Sequence, residues 1–249
     1  IKEVRKEMTL KAGQRCTGVR RIFVPQSLLS AVATALQKAL AQTVIGSPLH
    51  EKVRMGSLAG QSQREEVLSQ VKKLLASSQL IYGSLDSVEV VDADAVKGAF
   101  LSPLLLLNEK PFQSIEPHEI EAFGPVSTLM PYQSIEEAIA LSKLGKGSLV
   151  TTIVTNNEQE AKKYVLGAAS HHGRILILNR DCAKESTGHG SPLPLLVHGG
   201  PGRAGGGEEM GGIRGVKHYL QRTAIQGSPT MITAITNVYQ PHAKGKDPG

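Results

Sequence analysis

Tryptophan is missing from this sequence, and aromatic residues make up only 4% of its 249 positions. Proteins that grip single-stranded nucleic acid need several exposed aromatic platforms, so no nucleic-acid partner is expected. Cysteine is nearly absent too. Cys16 and Cys182 are too few for a disulfide framework in a chain of this size, and a reducing cytoplasm is the expected setting. No apolar run approaches the roughly 20 residues that span a bilayer. The longest, "FLSPLLLLN" from Phe100 to Asn108, is interrupted by Pro103 and suits a buried strand. The opening "IKEVRKEM" has no apolar signal core, and without an initiator methionine it reads as the start of a piece of a longer chain. No membrane partner is expected.

What is present is an ordinary globular composition, 40% hydrophobic and 20% charged. The formal charge is +6, but lysine and arginine are scattered rather than striped, as on a solvated surface. An acidic small molecule is the more specific use for the excess charge.

Strand-like and helix-like segments alternate. "RRIFVP" (Arg20–Pro25) reads as a strand, and Ser27–Gln42 as a helix with Leu28, Leu29, Val32, Leu36 and Leu40 at helical spacing. A second amphipathic helix covers Ser62–Ser78. Strands are expected at Val88–Ala93, Phe100–Leu107 and Ser127–Tyr132. A helix over Ser134–Gly145 follows, with Ser134 and Glu137 spaced as a capping box. Then come the strand "SLVTTIVT", the helix "NEQEAKKYVLGAASHH" and the strand "RILILN" (Arg174–Asn179). Near-continuous apolar strands between amphipathic helices predict an α/β fold, with a mainly parallel sheet covered on both faces. Beyond Asn179 the chain turns glycine-rich and polar. A last strand-like run, "VKHYLQRTAIQ", precedes a weakly structured tail.

Candidate chemistry is sparse. Cys16 lies on an expected loop close to Arg15, Arg20 and Arg21, which could favour a thiolate; a buried structural cysteine is the competing reading. Cys182 follows a core strand with nothing catalytic near it. The adjacent histidines of "SHHGR" lack metal-ligand spacing, and no metal is expected. The loop "HGGPGRAGGGEEMGG" (His198–Gly212) invites a phosphate-binding reading, but no Gly-Lys-Ser/Thr follows, so a close-packed irregular loop is preferred. "EAFGPV" (Glu121–Val126) joins a carboxylate, an aromatic ring and a Gly-Pro turn ahead of a core strand. Glu121 could accept hydrogen bonds from a ribose and Phe123 could pack on a flat ring; alone, a turn with a buried Phe is the simpler account.

Together these pieces resemble the aldehyde dehydrogenase superfamily. Its G-Q-x-C motif is matched by Gly13, Gln14 and Cys16. Its E-x-F-G-P motif, about a hundred residues later, is matched by Glu121, Phe123, Gly124 and Pro125. The resemblance implies that Cys16 is the nucleophile, that Glu121 binds the nicotinamide ribose and that Phe123 supports the nicotinamide. It implies a catalytic domain over 1–220, an oligomerisation strand and extension over 221–238, and a linker-like tail over 239–249. The cofactor domain, with its general base and oxyanion-hole asparagine, is expected upstream of Ile1, leaving this segment inactive alone. The last third is most similar to the branch that oxidises coenzyme A-linked semialdehydes in aerobic aromatic catabolism. That likeness implies NADP, or else NAD, as cofactor, a CoA-thioester semialdehyde as substrate, and a homo-oligomer. In the phenylacetate-degrading members an oxepin-CoA-hydrolysing, hydratase-fold domain follows; the single-function enzymes of benzoyl-CoA epoxidation are the near alternative. A non-catalytic phosphate- or nucleotide-binding module built on the glycine loop is the alternative of another class.

Overall fold

The computed structural model describes residues 1–191, 196, 199–204, 220 and 222–245. The chain divides into two compact units, Ile1–Gln133 and Ser134–Gly249.

In the first unit, helix α1 (Lys2–Thr9) leads through a tight turn into strand β1 (Arg21–Pro25) and helix α2 (Leu29–Ala41). Helix α3 (Gln61–Leu74), strands β2 (Gln79–Tyr82) and β3 (Leu104–Leu107), the short α4 (Glu116–Glu119) and strand β4 (Val126–Tyr132) follow. The sheet order is β1-β4-β3-β2. Strand β4 is parallel to both neighbours, with Arg21 opposite Thr128 and Leu104 opposite Val126, while β2 is antiparallel to β3. Alternation along the strands sends side chains to two cores. Leu104, Leu106 and Val126 join Val67, Val71 and Leu74 of α3, whereas Ile22, Val24, Leu105 and Leu129 join Met8, Leu36 and Leu40 of α1 and α2. Helices therefore cover both faces of this sheet, as the apolar runs predict.

The second unit carries α5 (Ile135–Leu144), β5 (Ser148–Val154), α6 (Glu158–Ala168), β6 (His172–Leu178), β7 (Ala224–Gln226) and α7 (Pro229–Thr236). Its strands form a separate, wholly parallel sheet in the order β5-β6-β7. Every residue of β6 is buried. Ile175 and Ile177 face α6 and α7, and the buried Arg174 on the alternate face donates to the carbonyls of His189 and Ser191. The oxygens of Ser134 and Asn157 accept from backbone N–H groups at the starts of α5 and α6.

Four expectations are corrected. The parallel strands make two sheets rather than one. Val88–Ala93 is not a strand: Val91 makes a lone bridge to Gly46, and Val88 and Val90 pack on the core from an irregular segment, so alternation without a partner misled. The strand at Phe100–Leu107 shrinks to Leu104–Leu107 because Pro103 has no N–H to donate, though Phe100 and Leu101 stay buried. The tail holds the helix α7, whose Met231 and Ile235 enter the core. Within 221–238, Ala224–Gln226 pairs with β6 of its own chain.

Candidate functional site

The loops before β1 and β4 carry the two motifs, and the parallel pairing of those strands brings both loops to the amino-terminal end of the sheet. The first begins with a left-handed run: Lys11, Ala12 and Gly13 have φ of 53°, 51° and 69°. Only glycine takes such a conformation without strain. At Gly13 the demand is doubled, since a Cβ there would sit 2.2 Å from the Gly124 carbonyl oxygen. The glycine of one motif thus lies backbone to backbone against the glycine of the other.

Past that contact, the Gln14 Oε1 accepts from the Ala59 N–H at 2.8 Å, and the Gly18 N–H closes a turn on the Arg15 carbonyl at 3.0 Å. Cys16 occupies this turn and is exposed. The three neighbouring arginines have distinct partners. Arg15 reaches back to Glu7 of α1, with its Nη1 2.8 Å from both carboxylate oxygens, and Glu7 is completely buried. That pair anchors the turn from behind. Arg21 lies over the Phe23 ring and donates to His118 Nδ1 at 3.1 Å. Since arginine has no acceptor, His118 Nδ1 must be the accepting nitrogen, and its Nε2–H donates to the Pro111 carbonyl at 2.8 Å. Burial, with the Arg21 charge adding to it, holds the His118 imidazole below its usual pKa.

Arg20 stands between the two loops. Its Nη2 donates to the carbonyls of Gly13 (3.0 Å) and Arg15 (3.1 Å), and its Nη1 to the carbonyl of Gly124 (3.1 Å). Its guanidinium lies 5.3 Å from the Phe123 ring centroid, and its Nε is 3.8 Å from Glu121. Burial lowers the Arg20 pKa, with the opposing negative charges of Glu121 and Glu7 acting to raise it. The carboxylate of Glu121 is 55% exposed and Phe123 is 41% exposed. An aromatic ring and a carboxylate open to solvent can receive a flat, hydroxyl-bearing ligand; the buried Phe of the simpler account is not what the structure holds. The sequence pointed to Cys16, Glu121 and Phe123 but not to Arg20 as the residue between their loops. Its partner Gly124 is 104 residues away, beyond the reach of local pattern.

The other candidates behave as structure. Cys182 is half-buried and its thiol points to the Ile177 carbonyl at 3.4 Å. His172 is buried and hydrogen-bonded to Ser142 and Ser148. Of the glycine loop, His198 and residues 205–212 lie outside the described residues, as do residues 216–219 and 221 of "VKHYLQRTAIQ". In its described part, N–H groups go to protein carbonyls: Gly199 to Arg222, Arg203 to Lys146 and Ala204 to Pro201. A Cβ on Gly202 would lie 2.0 Å from the Lys146 oxygen. These are the contacts of a close-packed loop rather than an open anion cradle. Among the described residues no helix is long and apolar enough to cross a membrane.

Comparison with known proteins agrees with the family that the two motifs imply. The family model described as "Aldehyde dehydrogenase family" matches residues 1–225. The chain is 52% identical over 183 residues to "Protein MaoC" of Klebsiella aerogenes, covering 73% of this chain and 52% of that protein. It is 36% identical over 201 residues to the 3,4-dehydroadipyl-CoA semialdehyde dehydrogenase of Aromatoleum evansii, covering 81% of this chain and 39% of that protein. The chain therefore spans about half, or less, of the length of these relatives. Among solved structures, the betaine aldehyde dehydrogenase of Staphylococcus aureus in complex with NAD+ superposes with a TM-score of 0.71 at 20% identity, over 88% of this chain and 40% of that one. With a family model covering nearly all of the sequence and a relative more than half identical, the chain belongs to the aldehyde dehydrogenase family.

Proposed function

We propose that this chain supplies the nucleophile and the cofactor-facing loop of a dehydrogenase that oxidises a coenzyme A-linked semialdehyde to the acid. The packing of Gly13 against Gly124 carries this reading, because it holds an exposed cysteine loop and an exposed carboxylate–aromatic loop side by side. The match to the Aromatoleum evansii enzyme supports the substrate class. Exposed Glu121 and Phe123 fit a nicotinamide ribose and ring, with NADP ahead of NAD as the dinucleotide. That cofactor, when bound, accepts the hydride. Cys16 adds its sulfur to the aldehyde carbonyl carbon, the carbonyl pair moves to oxygen, and loss of hydride leaves a thioester on Cys16. Water then cleaves the C–S bond, giving the acid and returning the thiol. The base for that water and the dinucleotide fold belong to the rest of the enzyme. The setting proposed is aerobic aromatic catabolism, with phenylacetate as the starting compound, in a cytoplasmic homo-oligomer.

The test is steady-state kinetics of the full-length protein on a CoA-linked and a CoA-free semialdehyde. Cys16→Ser is expected to abolish oxidation of both, and the CoA-linked substrate to have the higher kcat/KM. Full activity in Cys16→Ser refutes the nucleophile, and equal use of the two substrates refutes the substrate class.

A further inference from the structure

Arg20 is arranged in a way that the nucleophile and cofactor roles leave unexplained. Its side chain is only 17% exposed, so its charge is largely desolvated. A role confined to filling space would be served better by an apolar residue, because a buried charge is expensive unless its partners are well placed. Its partners here are three backbone carbonyls, of Gly13 and Arg15 on one loop and Gly124 on the other. The planar fork reaches all three at once, which a lysine ammonium on its single point of attachment cannot reproduce. The remaining nitrogen, Nε, is buried and makes no hydrogen bond; it faces Glu121 at 3.8 Å. That distance is too long for a hydrogen bond but short enough for charge attraction. Glu121 is therefore oriented without surrendering an oxygen, and both oxygens stay available to ligand hydroxyls. The same guanidinium backs the Phe123 ring at 5.3 Å, a cation–π distance.

We propose that Arg20 is a positioning residue for the oxidation, fixing the Cys16 loop against the Glu121–Phe123 loop so that the aldehyde carbon and the hydride acceptor meet in register. This rests on the function proposed above. Arg20 contacts neither substrate nor cofactor; it acts through Glu121, Phe123 and the carbonyls on either side of Gln14. Its loss should appear in cofactor binding and turnover together, and the cofactor part should depend on Glu121.

The experiment is a double-mutant cycle in the full-length protein. Arg20→Gln, Arg20→Lys and Glu121→Gln are measured singly, and Arg20→Gln is combined with Glu121→Gln, for dinucleotide KM, kcat and melting temperature. Arg20→Gln is expected to raise KM about 5-fold and to lower kcat by a similar factor, within the range of coupling between contacting residues. In the Glu121→Gln background the KM effect of Arg20→Gln should fall below about 2-fold. Arg20→Lys, which retains charge but not the fork, should show the KM and kcat losses in weaker form. Independent, multiplying KM effects overturn the proposal, as does a lower melting temperature with KM and kcat unchanged. A turnover-free measurement separates this outcome from failure of the function itself. Iodoacetamide alkylation of Cys16 at pH 7 should change about 3-fold in rate in Arg20→Gln, because the turn that presents the thiol loses the hydrogen bonds to its Gly13 and Arg15 carbonyls, with Cys182 as internal reference. A wild-type protein inactive on every aldehyde refutes the function, and the alkylation rates then decide the coupling: equal Cys16 rates overturn it.

Discussion

Replacing Gly13 by alanine tests the contact on which the site rests. Two penalties add. The residue has φ of 69°, and a side chain in that left-handed region costs about 1–2 kcal/mol. The new Cβ would then lie 2.2 Å from the Gly124 oxygen and 2.5 Å from its carbonyl carbon. Those atoms cannot swing aside like the end of a long side chain. The Gly124 carbonyl is held by the Val126 N–H at 2.8 Å and by Arg20 at 3.1 Å. Overpacking against fixed atoms costs about 1–3 kcal/mol more. The expected destabilisation is therefore about 3 kcal/mol, which in a chain of this length lowers the melting temperature by about 6–12 °C. Function should suffer beyond stability, because the loops must part to admit the methyl group, and a displacement of about 1 Å at a reacting centre costs on the order of 100-fold in rate. Gly56 provides the control: a Cβ there meets nothing within 4 Å, so Gly56→Ala should stay within about 0.5 kcal/mol of wild type. Thermal unfolding followed by circular dichroism, with turnover of the full-length enzyme measured at a temperature where both variants are folded, gives the answer. A Gly13→Ala protein that melts and turns over like Gly56→Ala refutes the reasoning.

Two further outcomes are expected. Glu7→Gln removes the fully buried carboxylate of a pair and leaves the Arg15 charge poorly matched; since Arg15 keeps 17% exposure and some access to water, the loss should be about 3 kcal/mol by chemical denaturation, at the low end for buried pairs. The lowered pKa of His118 gives a pH dependence: the unfolded chain takes up a proton as pH falls through about 6.5 while the folded chain resists, so stability should drop on acidification below pH 6.5 by up to about 1.4 kcal/mol per pH unit from this group and level off above pH 7. His171, also lowered by burial, adds in the same direction, so His118→Gln should reduce the slope between pH 7 and 5.5 without abolishing it; an unchanged slope would count against a neutral buried imidazole.

The amphipathic helices were legible because their apolar residues recur at the spacing of a helix face, and α2, α3, α5 and α6 lie within a few residues of where that spacing puts them. Val88–Ala93 was misread because its alternation records packing of Val88 and Val90 on a core, which a strand shares with an extended loop. Helix α7 escaped notice between glycine and asparagine, where eight residues offer too few turns for a periodic signal. At the candidate site, Cys16, Glu121 and Phe123 were visible as parts of two recognisable motifs. The separate employment of Arg15, Arg20 and Arg21 was not, since each charge is claimed by a partner that only folding brings near: Glu7, Gly124 and His118. The sequence shows that these three charges are neighbours; it does not show which will be spent on carbonyls.

The parallel ladder between β1 and β4 has a consequence for how the loops can vary. Arg21 is opposite Thr128, Cys16 stands five residues before the first and Phe123 five residues before the second. The ladder is in effect a ruler with two pointers cut to equal length. Lengthening one pointer by a single residue moves the thiol relative to the aromatic ring even if every strand, helix and core contact remains as it was. Insertions should therefore be tolerated in the exposed irregular stretch between Asp92 and Lys97 and refused between Gly13 and Arg20 or between Glu121 and Val126. The measure that the sheet keeps is spacing along the chain, and it constrains sequence length at this site as strictly as it constrains residue type.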